Sequence, residues 1–159
     1  MKYIELAIKE GYKALELGEI PVGAIIVKDD KVVGRGHNLK ENNKSVISHA
    51  EIIAIEEACR NTGDWRLTGC EMYVTLEPCP MCAGAIIQSR ISKLHIGTFN
   101  RDMGACGSIV DLVNDRHLNS YLNVNWLYNK ECSDIITNFF KNRRKENKFL
   151  KKKREGYDE

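Results

Sequence analysis

Two pairs of side chains in this sequence have the types and spacing of a metal site. The pairs are His49 with Glu51, and Cys79 with Cys82. Zinc prefers imidazole nitrogen and thiolate sulfur, and a Cys-x-x-Cys step places two sulfurs within reach of one ion. Pro80 favours the first position of a helix, so Cys79 would lie at the helix cap, where the positive helix end favours thiolates. We predict that His49, Cys79 and Cys82 bind one Zn²⁺ per chain.

The number of predicted ligands indicates a catalytic role. A structural zinc takes four protein ligands, whereas a catalytic zinc takes three and keeps a position for a water molecule whose pKa it lowers. The sequence offers no second close Cys or His pair, and His37, His95 and His117 each stand alone. Glu51 is then the predicted catalytic residue, which would accept a proton from water and pass it to a departing amine. The predicted reaction is a hydrolytic deamination.

Each half of this pattern also has a simpler interpretation. Ser48 and Glu51 match a capping box, in which both side chains only satisfy amides at a helix start. Cys79 and Cys82 alone could form a redox dithiol. The other cysteines are single and have apolar or small neighbours, so we interpret them as small buried side chains. They are Cys59, Cys70, Cys106 and Cys132.

The segments around these residues predict helices that alternate with strands. Apolar periodicity and turn residues predict helices at 2–17, 48–61, from 80 onward and 131 to about 150, and strands at 22–28, 31–36, 72–76, 93–98 and 124–128. A short helical stretch is expected before the last strand. Such alternation places helices on the faces of a mixed sheet. We predict an α/β fold, a three-layer α/β/α sandwich with a mixed five-stranded central sheet.

Length and composition set the wider expectations. The 159 residues fit one domain, and their formal net charge of +2 does not by itself indicate a nucleic-acid-binding protein. No apolar run reaches the roughly 18 residues of a membrane span, and the amino end lacks a signal-peptide pattern. We expect a cytoplasmic protein with no membrane partner. Residues 1–150 are the predicted zinc-dependent deaminase domain, and 151–159 a basic, disordered tail.

At this level of detail the sequence resembles a known family. His-x-Glu followed by Pro-Cys-x-x-Cys is the pattern of zinc deaminases. More closely, residues 3–145 resemble the bacterial tRNA-specific adenosine deaminases, within the cytidine and deoxycytidylate deaminase superfamily. The matching segments are 19–24 (EIPVGA), 34–38 (GRGHN), 49–52 (HAEI), 73–85 (YVTLEPCPMCAGA), 104–108 (GACGS) and 139–140 (FF).

The resemblance implies a substrate and further site residues. It implies a homodimer of the cytidine-deaminase fold that converts the wobble adenosine of a tRNA anticodon stem-loop to inosine. Asn38 matches the position that hydrogen-bonds the flipped base, and Phe140, Arg143 and Arg144 match a helix that contacts the anticodon loop. Asn100 departs from the family, which usually has Asp there, facing a neighbouring ribose. Discrimination between RNA and DNA is therefore in question.

The carboxyl-terminal segment bears on the substrate independently of the resemblance. Residues 141–154 contain nine Lys or Arg side chains and one acid, Glu146. A local basic patch in a nearly neutral chain is typical of phosphate binding, although a solvated chain end has the same composition. Two other functions remain open: a zinc deaminase of free guanine or cytosine, and a non-catalytic zinc module that binds RNA. Glu51 argues against the second, because a structural zinc site does not use a non-ligand acid.

Overall fold

The structure is a computed structural model that describes residues 2–155. Its elements are α1 (Lys2–Glu16), β1 (Gly23–Lys28), β2 (Lys31–His37), α2 (Ala50–Thr62), β3 (Glu71–Leu76), α3 (Pro80–Gln88), β4 (Lys93–Thr98), β5 (Asn114–Asp115), β6 (Ser120–Tyr121), β7 (Asn123–Trp126) and α4 (Lys130–Glu155).

Five strands form one mixed sheet in the order β2-β1-β3-β4-β7. Strand β1 is antiparallel to both β2 and β3, whereas β4 is parallel to its two neighbours, β3 and β7. The parallel pair β3–β4 is connected through α3. The predicted mixed five-stranded sheet is confirmed.

Helices cover both faces of this sheet. Alternate residues of β1 point to opposite sides, so Ile26 packs in the core beneath α2 and α3, while Ile25 packs in the core beneath α1 and the start of α4. At Gly36 in β2 a Cβ atom would lie 2.1 Å from the Ala50 carbonyl oxygen. Glycine at this position therefore permits the first turn of α2 to lie directly on the sheet. The three-layer α/β/α sandwich is confirmed.

Two expectations about the second half of the chain need correction. The predicted helical stretch before β7 is absent from the described residues; the segment instead contains the antiparallel pair β5–β6. The Asp115 side chain accepts the amides of His117 and Leu118, and Asn119 has a positive φ of 50°. These turn features interrupt a helix.

The end of the chain also differs from the expected disorder. Helix α4 continues to Glu155, so 151–155 are helical, while 156–159 lie outside the described residues. Lys and Arg are good helix formers, and cations in the last turn interact favourably with the helix dipole. Within residues 2–155, no helix combines the length and apolar character that crossing a membrane requires.

Candidate active site

The starts of α2 and α3 bring the three predicted metal ligands together. His49 is the N-cap residue of α2 and Cys79 that of α3, with Pro80 in the first turn of α3 as predicted. His49 Nδ1 lies 3.6 Å from Cys79 Sγ and 3.5 Å from Cys82 Sγ. The three atoms all lie within 4.8 Å of one another. Two helix amino ends thus converge on one point.

These distances fit a zinc ion. Ligand bonds of about 2.3 Å to sulfur and 2.0–2.1 Å to nitrogen in a tetrahedral site separate the two ligand atoms by about 3.6 Å. Among the described residues, no other group of His, Cys or acidic side chains has such an arrangement. The remaining histidines contact carboxylates instead: His37 contacts Glu10, His95 contacts Glu71 and His117 contacts Asp115.

Glu51 is buried beside this group, with 4% of its surface exposed. Burial raises the pKa of its carboxyl to about 7, and hydrogen bonds with its own backbone amide and with the Cys82 thiol act in the opposite direction. The capping-box interpretation is wrong. The cap of α2 is His49, without a side-chain cap bond, and the Ser48 hydroxyl accepts a hydrogen bond from Asn43. Glu51 therefore faces the ligand group and does not cap the helix.

The two thiols differ in their protonation. A hydrogen bond from Cys82 lowers the pKa of Cys79 to about 4, and the His49 hydrogen bond acts in the same direction. The pKa of Cys82 is raised, first because it donates to Cys79 and then because it is buried. The hydrogen bond with Cys79 raises the pKa of His49. Cys79 is therefore the more readily ionised of the two thiols, and thiolate is the form that binds a metal.

A cavity of about 780 Å³ adjoins the ligand group. Its lining includes His49, Glu51, Cys79 and, from the predicted substrate-binding residues, Asn38, Asn100, Phe140 and Arg144. Asn38 is 7% exposed, its Nδ2 donates to the Ile20 carbonyl at 3.3 Å, and its Oδ1 accepts the Lys40 amide at 3.1 Å. These bonds fix the side chain at the wall of the cavity.

Helix α4 separates two arginines that are adjacent in sequence. Phe140 and Arg144 line the cavity. Arg143 points to a groove between α1 and α4, where it donates to the Gly18 carbonyl at 3.2 Å and lies 5.1 Å from the Phe139 ring. Arg143 is thus not beside the other predicted RNA contacts.

Asn100 organises its own loop. Its Oδ1 accepts the amides of Asp102 at 3.3 Å and Met103 at 3.1 Å, and its Nδ2 donates to the Glu77 carbonyl at 3.4 Å. An aspartate could accept the first two bonds but could not make the third.

The sequence pattern alone did not predict a role for Glu77, which is 1% exposed. Its carboxylate accepts the backbone amides of Asn100, Cys106 and Ser108, each at 3.1 Å, and the Ser108 hydroxyl. Glu77 thereby shapes the loop at 99–108, part of which lines the cavity. The sequence did contain a signal for such a role: Glu77 is an acid that lies between the apolar strand segment at 72–76 and Pro78-Cys79.

Glu19 has a similar role on the opposite wall. It is 1% exposed and accepts both the backbone amide and the side-chain amide of Asn42, at 2.8 and 2.9 Å. This carboxylate holds the loop between β2 and α2, which includes Asn38 and Lys40. Both loops beside the cavity are therefore held by buried carboxylates.

Comparison with known proteins agrees with this geometry. Residues 1–98 match the cytidine and deoxycytidylate deaminase zinc-binding region, which includes His49, Glu51, Cys79 and Cys82. The tRNA-specific adenosine deaminase of Bacillus subtilis is 42% identical over 151 residues, 94% of either chain. That of Aquifex aeolicus is 40% identical over 141 residues, covering 87% of this chain and 92% of the relative.

Solved structures give the same relationship. A structure from a study of A-to-I editing by tRNA:A34 deaminases has a TM-score of 0.81 at 38% identity, covering 84% of this chain and 98% of that one. Guanine deaminase from Bacillus subtilis has a TM-score of 0.60 at 26% identity, covering 72% and 83%.

Proposed function

Because this chain belongs to the tRNA-specific adenosine deaminases, within the cytidine and deoxycytidylate deaminase family, we propose that it converts the wobble adenosine of a tRNA anticodon to inosine. One observation carries the proposal: the three ligand atoms and the buried carboxyl of Glu51 meet beside a cavity large enough for a nucleoside. The reaction adds one water to adenosine and releases one ammonia.

We propose that His49 Nδ1, Cys79 Sγ and Cys82 Sγ hold one zinc ion. The donor set of one imidazole and two thiolates is of the kind zinc prefers, and its spacing fits a tetrahedral ion. When bound, zinc supplies a Lewis acid that lowers the pKa of a water molecule. With three protein ligands, a position remains for that water.

Glu51 moves the protons in this proposal. Its carboxylate accepts a proton from the attacking water and delivers it to the amino group that leaves adenine. A general base works best with a pKa near the working pH, and burial raises the pKa of Glu51 to about 7.

Asn38 and the face of α4 beside the cavity are the proposed RNA contacts. Asn38 would hydrogen-bond the flipped base, and Phe140 and Arg144 would contact neighbouring nucleotides by stacking and charge. Arg143, which matches the same family helix, donates instead to the Gly18 carbonyl in the turn after α1 and so joins α4 to that turn. Asn100 would lie near a neighbouring ribose, because its loop lines the same cavity.

The basic stripe of α4 continues from Arg144 along the same side of the helix. We define this stripe as Lys141, Arg144, Lys145, Lys148 and Lys152, which lie within about 100° of one another around the helix axis. All five are exposed. Successive cations on one helix face beside the cavity match a row of phosphates on one RNA strand.

We further propose that the protein is a cytoplasmic homodimer. Exposed apolar side chains support a contact between copies: Val46 is 69% exposed and Ile47 53%, and both lie in the loop before α2. The proposed cytoplasmic location follows from the proposed tRNA substrate. Light scattering at several protein concentrations tests the dimer; a mass of one chain throughout would contradict it.

The test compares an anticodon hairpin with an unmodified wobble adenosine against free adenine, guanine and cytosine, using zinc-loaded protein. We expect inosine in the hairpin and no ammonia from the free bases. Ammonia from guanine or cytosine with an unchanged hairpin would favour a free-base deaminase. Glu51→Ala should retain one zinc per chain by metal analysis but lose activity. Normal turnover by that variant would contradict the assigned proton transfer.

A further inference from the structure

Three aromatic side chains form a surface cluster that the proposed reaction does not use. The Phe99 ring lies 4.7 Å from the Trp126 ring and 5.6 Å from the Tyr128 ring, and Trp126 lies 6.3 Å from Tyr128. We call these three residues the aromatic cluster. Phe99 is 44% exposed and Tyr128 68% exposed, whereas Trp126 is half-buried and packs against the main core. Trp126, held against the core, therefore supports two rings that face solvent.

The backbone holds Tyr128 in this exposed position. Tyr128 has a φ of +49°, a left-handed conformation that is unfavourable for a residue with a Cβ atom. Hydrogen bonds fix the residues on either side: the Leu127 amide donates to the Ile96 carbonyl, and the Asn129 amide donates to the Gly97 carbonyl, both at 2.8 Å. Backbone strain of this kind often accompanies a functional site.

The aromatic cluster is continuous with the candidate active site. Phe99 belongs to the cluster and also lines the cavity beside Asn100. A molecule that reacts in the cavity therefore has its neighbouring parts next to Phe99. In an RNA loop those parts are unpaired bases, whose flat faces stack on aromatic rings regardless of sequence.

We propose that the aromatic cluster is a stacking platform for an unpaired nucleotide adjacent to the deaminated adenosine. The inference rests on the proposed RNA substrate and extends it to a second contact surface. Phe99 and Tyr128 supply exposed ring faces, and Trp126 fixes them in place.

A nucleotide fits this surface better than a second copy of the chain does. Stable protein interfaces bury about 800 Å² on each partner, and three rings present at most a part of that area. Charged side chains that are exposed to solvent border the cluster on both chain segments, with Arg101 and Asp102 after Phe99 and Lys130 after Tyr128. An occupant with a flat apolar face and a charged backbone suits such surroundings.

Tryptophan fluorescence gives a direct test, because the chain has two tryptophans. Trp65 lies elsewhere, half exposed beneath Arg66, so Trp65→Phe leaves Trp126 as the reporter. In a zinc-loaded Glu51→Gln background, the anticodon hairpin should quench Trp126. A hairpin that is abasic at the stacked loop position should bind, by anisotropy of a labelled RNA, with less quenching. Equal emission for every bound hairpin would overturn the proposal.

Kinetics test the same contact without fluorescence. Phe99→Leu and Tyr128→Leu keep apolar bulk but remove the ring, and each should lower kcat/KM for the hairpin about 5- to 100-fold, mainly through KM. Tyr121→Leu is the matched control, since Tyr121 is 74% exposed and lies outside the cluster. Unchanged kcat/KM in both cluster variants would overturn the platform.

Three further outcomes show whether the cluster contacts RNA or a second copy of the chain, and whether the proposed substrate is correct. Loss of dimers in Phe99→Leu or Tyr128→Leu, by light scattering, would assign the cluster to a contact between copies and overturn the platform. Absence of inosine with the unsubstituted protein would overturn the proposed function itself. If inosine forms but the fluorescence of Trp126 does not change when the hairpin binds, the stacking platform is overturned and the proposed function is not.

Discussion

Glu77 and Ser108 form a double contact that joins the turn before Cys79 to the loop at 99–108, part of which lines the cavity. The Ser108 amide donates to Glu77 Oε1 at 3.1 Å, and the Ser108 hydroxyl donates to Oε2. The Ala105 amide also donates to the Pro78 carbonyl at 2.9 Å. The loop wraps so closely that a Cβ atom on Gly104 would lie 2.3 Å from Glu77 Oε2. The ligand turn and the substrate-facing loop are thus one hydrogen-bonded unit.

Replacing this carboxylate should loosen the loop. Glu77→Gln puts an NH₂ group against backbone amides that need an acceptor, so we expect the free energy of unfolding to fall by about 2–3 kcal/mol. KM for the hairpin should rise more than kcat falls, while zinc content stays at one per chain. Urea unfolding and amide hydrogen exchange over 99–108 measure these effects. Exposed Glu56 supplies the control, and a Glu77→Gln variant as stable as Glu56→Gln would contradict the anchor.

The ligand group was predictable because its parts are local. Cys79 and Cys82 share one helix start, and Pro80 indicates where that helix begins. Only the meeting of His49 with this pair needed the tertiary fold, and the narrow ligand preference of zinc restricted the choice. Short apolar runs bounded by turn residues likewise predicted the strands. Helices cover both faces of the sheet, so the residues of β1 and β4 are buried on both sides.

Other features depend on contacts between distant segments. Ser48 and Glu51 have the spacing of a capping box, but Ser48 bonds to Asn43 and Glu51 turns toward the thiols. The partners of Glu77 lie 23–31 residues away along the chain. No periodicity encodes such a pairing. The basic end of α4 was misjudged for a different reason, because Lys-rich composition is compatible with both a helix and disorder.

The contact between His95 and Glu71 should make stability depend on pH. Burial lowers the pKa of His95 from 6.5, and the His95 hydrogen bond lowers that of Glu71 from 4.5. A neutral His95 fits both its contacts, donating from Nε2 to Glu71 and accepting the Asn125 amide at Nδ1. The folded state therefore favours neutral His95 and ionised Glu71, and acid opposes both preferences.

We expect the contribution of this pair to the free energy of unfolding to fall as the pH drops below 6.5, because the unfolded chain takes up a proton at His95 that the folded state disfavours, and again below 4.5 as Glu71 is protonated. The raised pKa values of Glu51 and His49 act in the opposite direction, so the pair is isolated by comparing the protein with a His95 variant that keeps both groups. In His95→Gln the decrease that begins at pH 6.5 should be smaller, because the side chain that takes up the proton is gone. The nearby Lys93, whose charge also lowers the pKa of His95, is unchanged in this variant. Urea unfolding at a series of pH values measures this. Parallel curves for the two proteins between about pH 7 and about pH 5 would contradict the assignment.

Asn100→Asp tests the position that departs from the family. The substitution removes the donor to the Glu77 carbonyl and places a carboxylate near the buried Glu77 side chain. We expect the new carboxylate to turn toward the cavity, where it can accept a ribose 2′-hydroxyl, so preference for RNA over DNA should sharpen. The measurement is the ratio of kcat/KM for matched RNA and DNA hairpins. An unchanged ratio would contradict the prediction.

The basic stripe of α4 predicts a specific dependence of RNA affinity on salt. Lys148 and Lys152 lie on the stripe, whereas Lys153 and Arg154 lie on other sides of the helix, because each residue advances about 100° around the axis. In Lys148→Gln/Lys152→Gln, hairpin affinity should decrease. The slope of log affinity against log salt should become shallower by about one for each lost phosphate contact. Anisotropy of a labelled hairpin over a KCl series measures this slope. The control variant Lys153→Gln/Arg154→Gln removes the same amount of charge and should leave the slope nearly unchanged. If both double variants lost hairpin affinity equally, the effect would come from net charge and not from contacts made by the basic stripe.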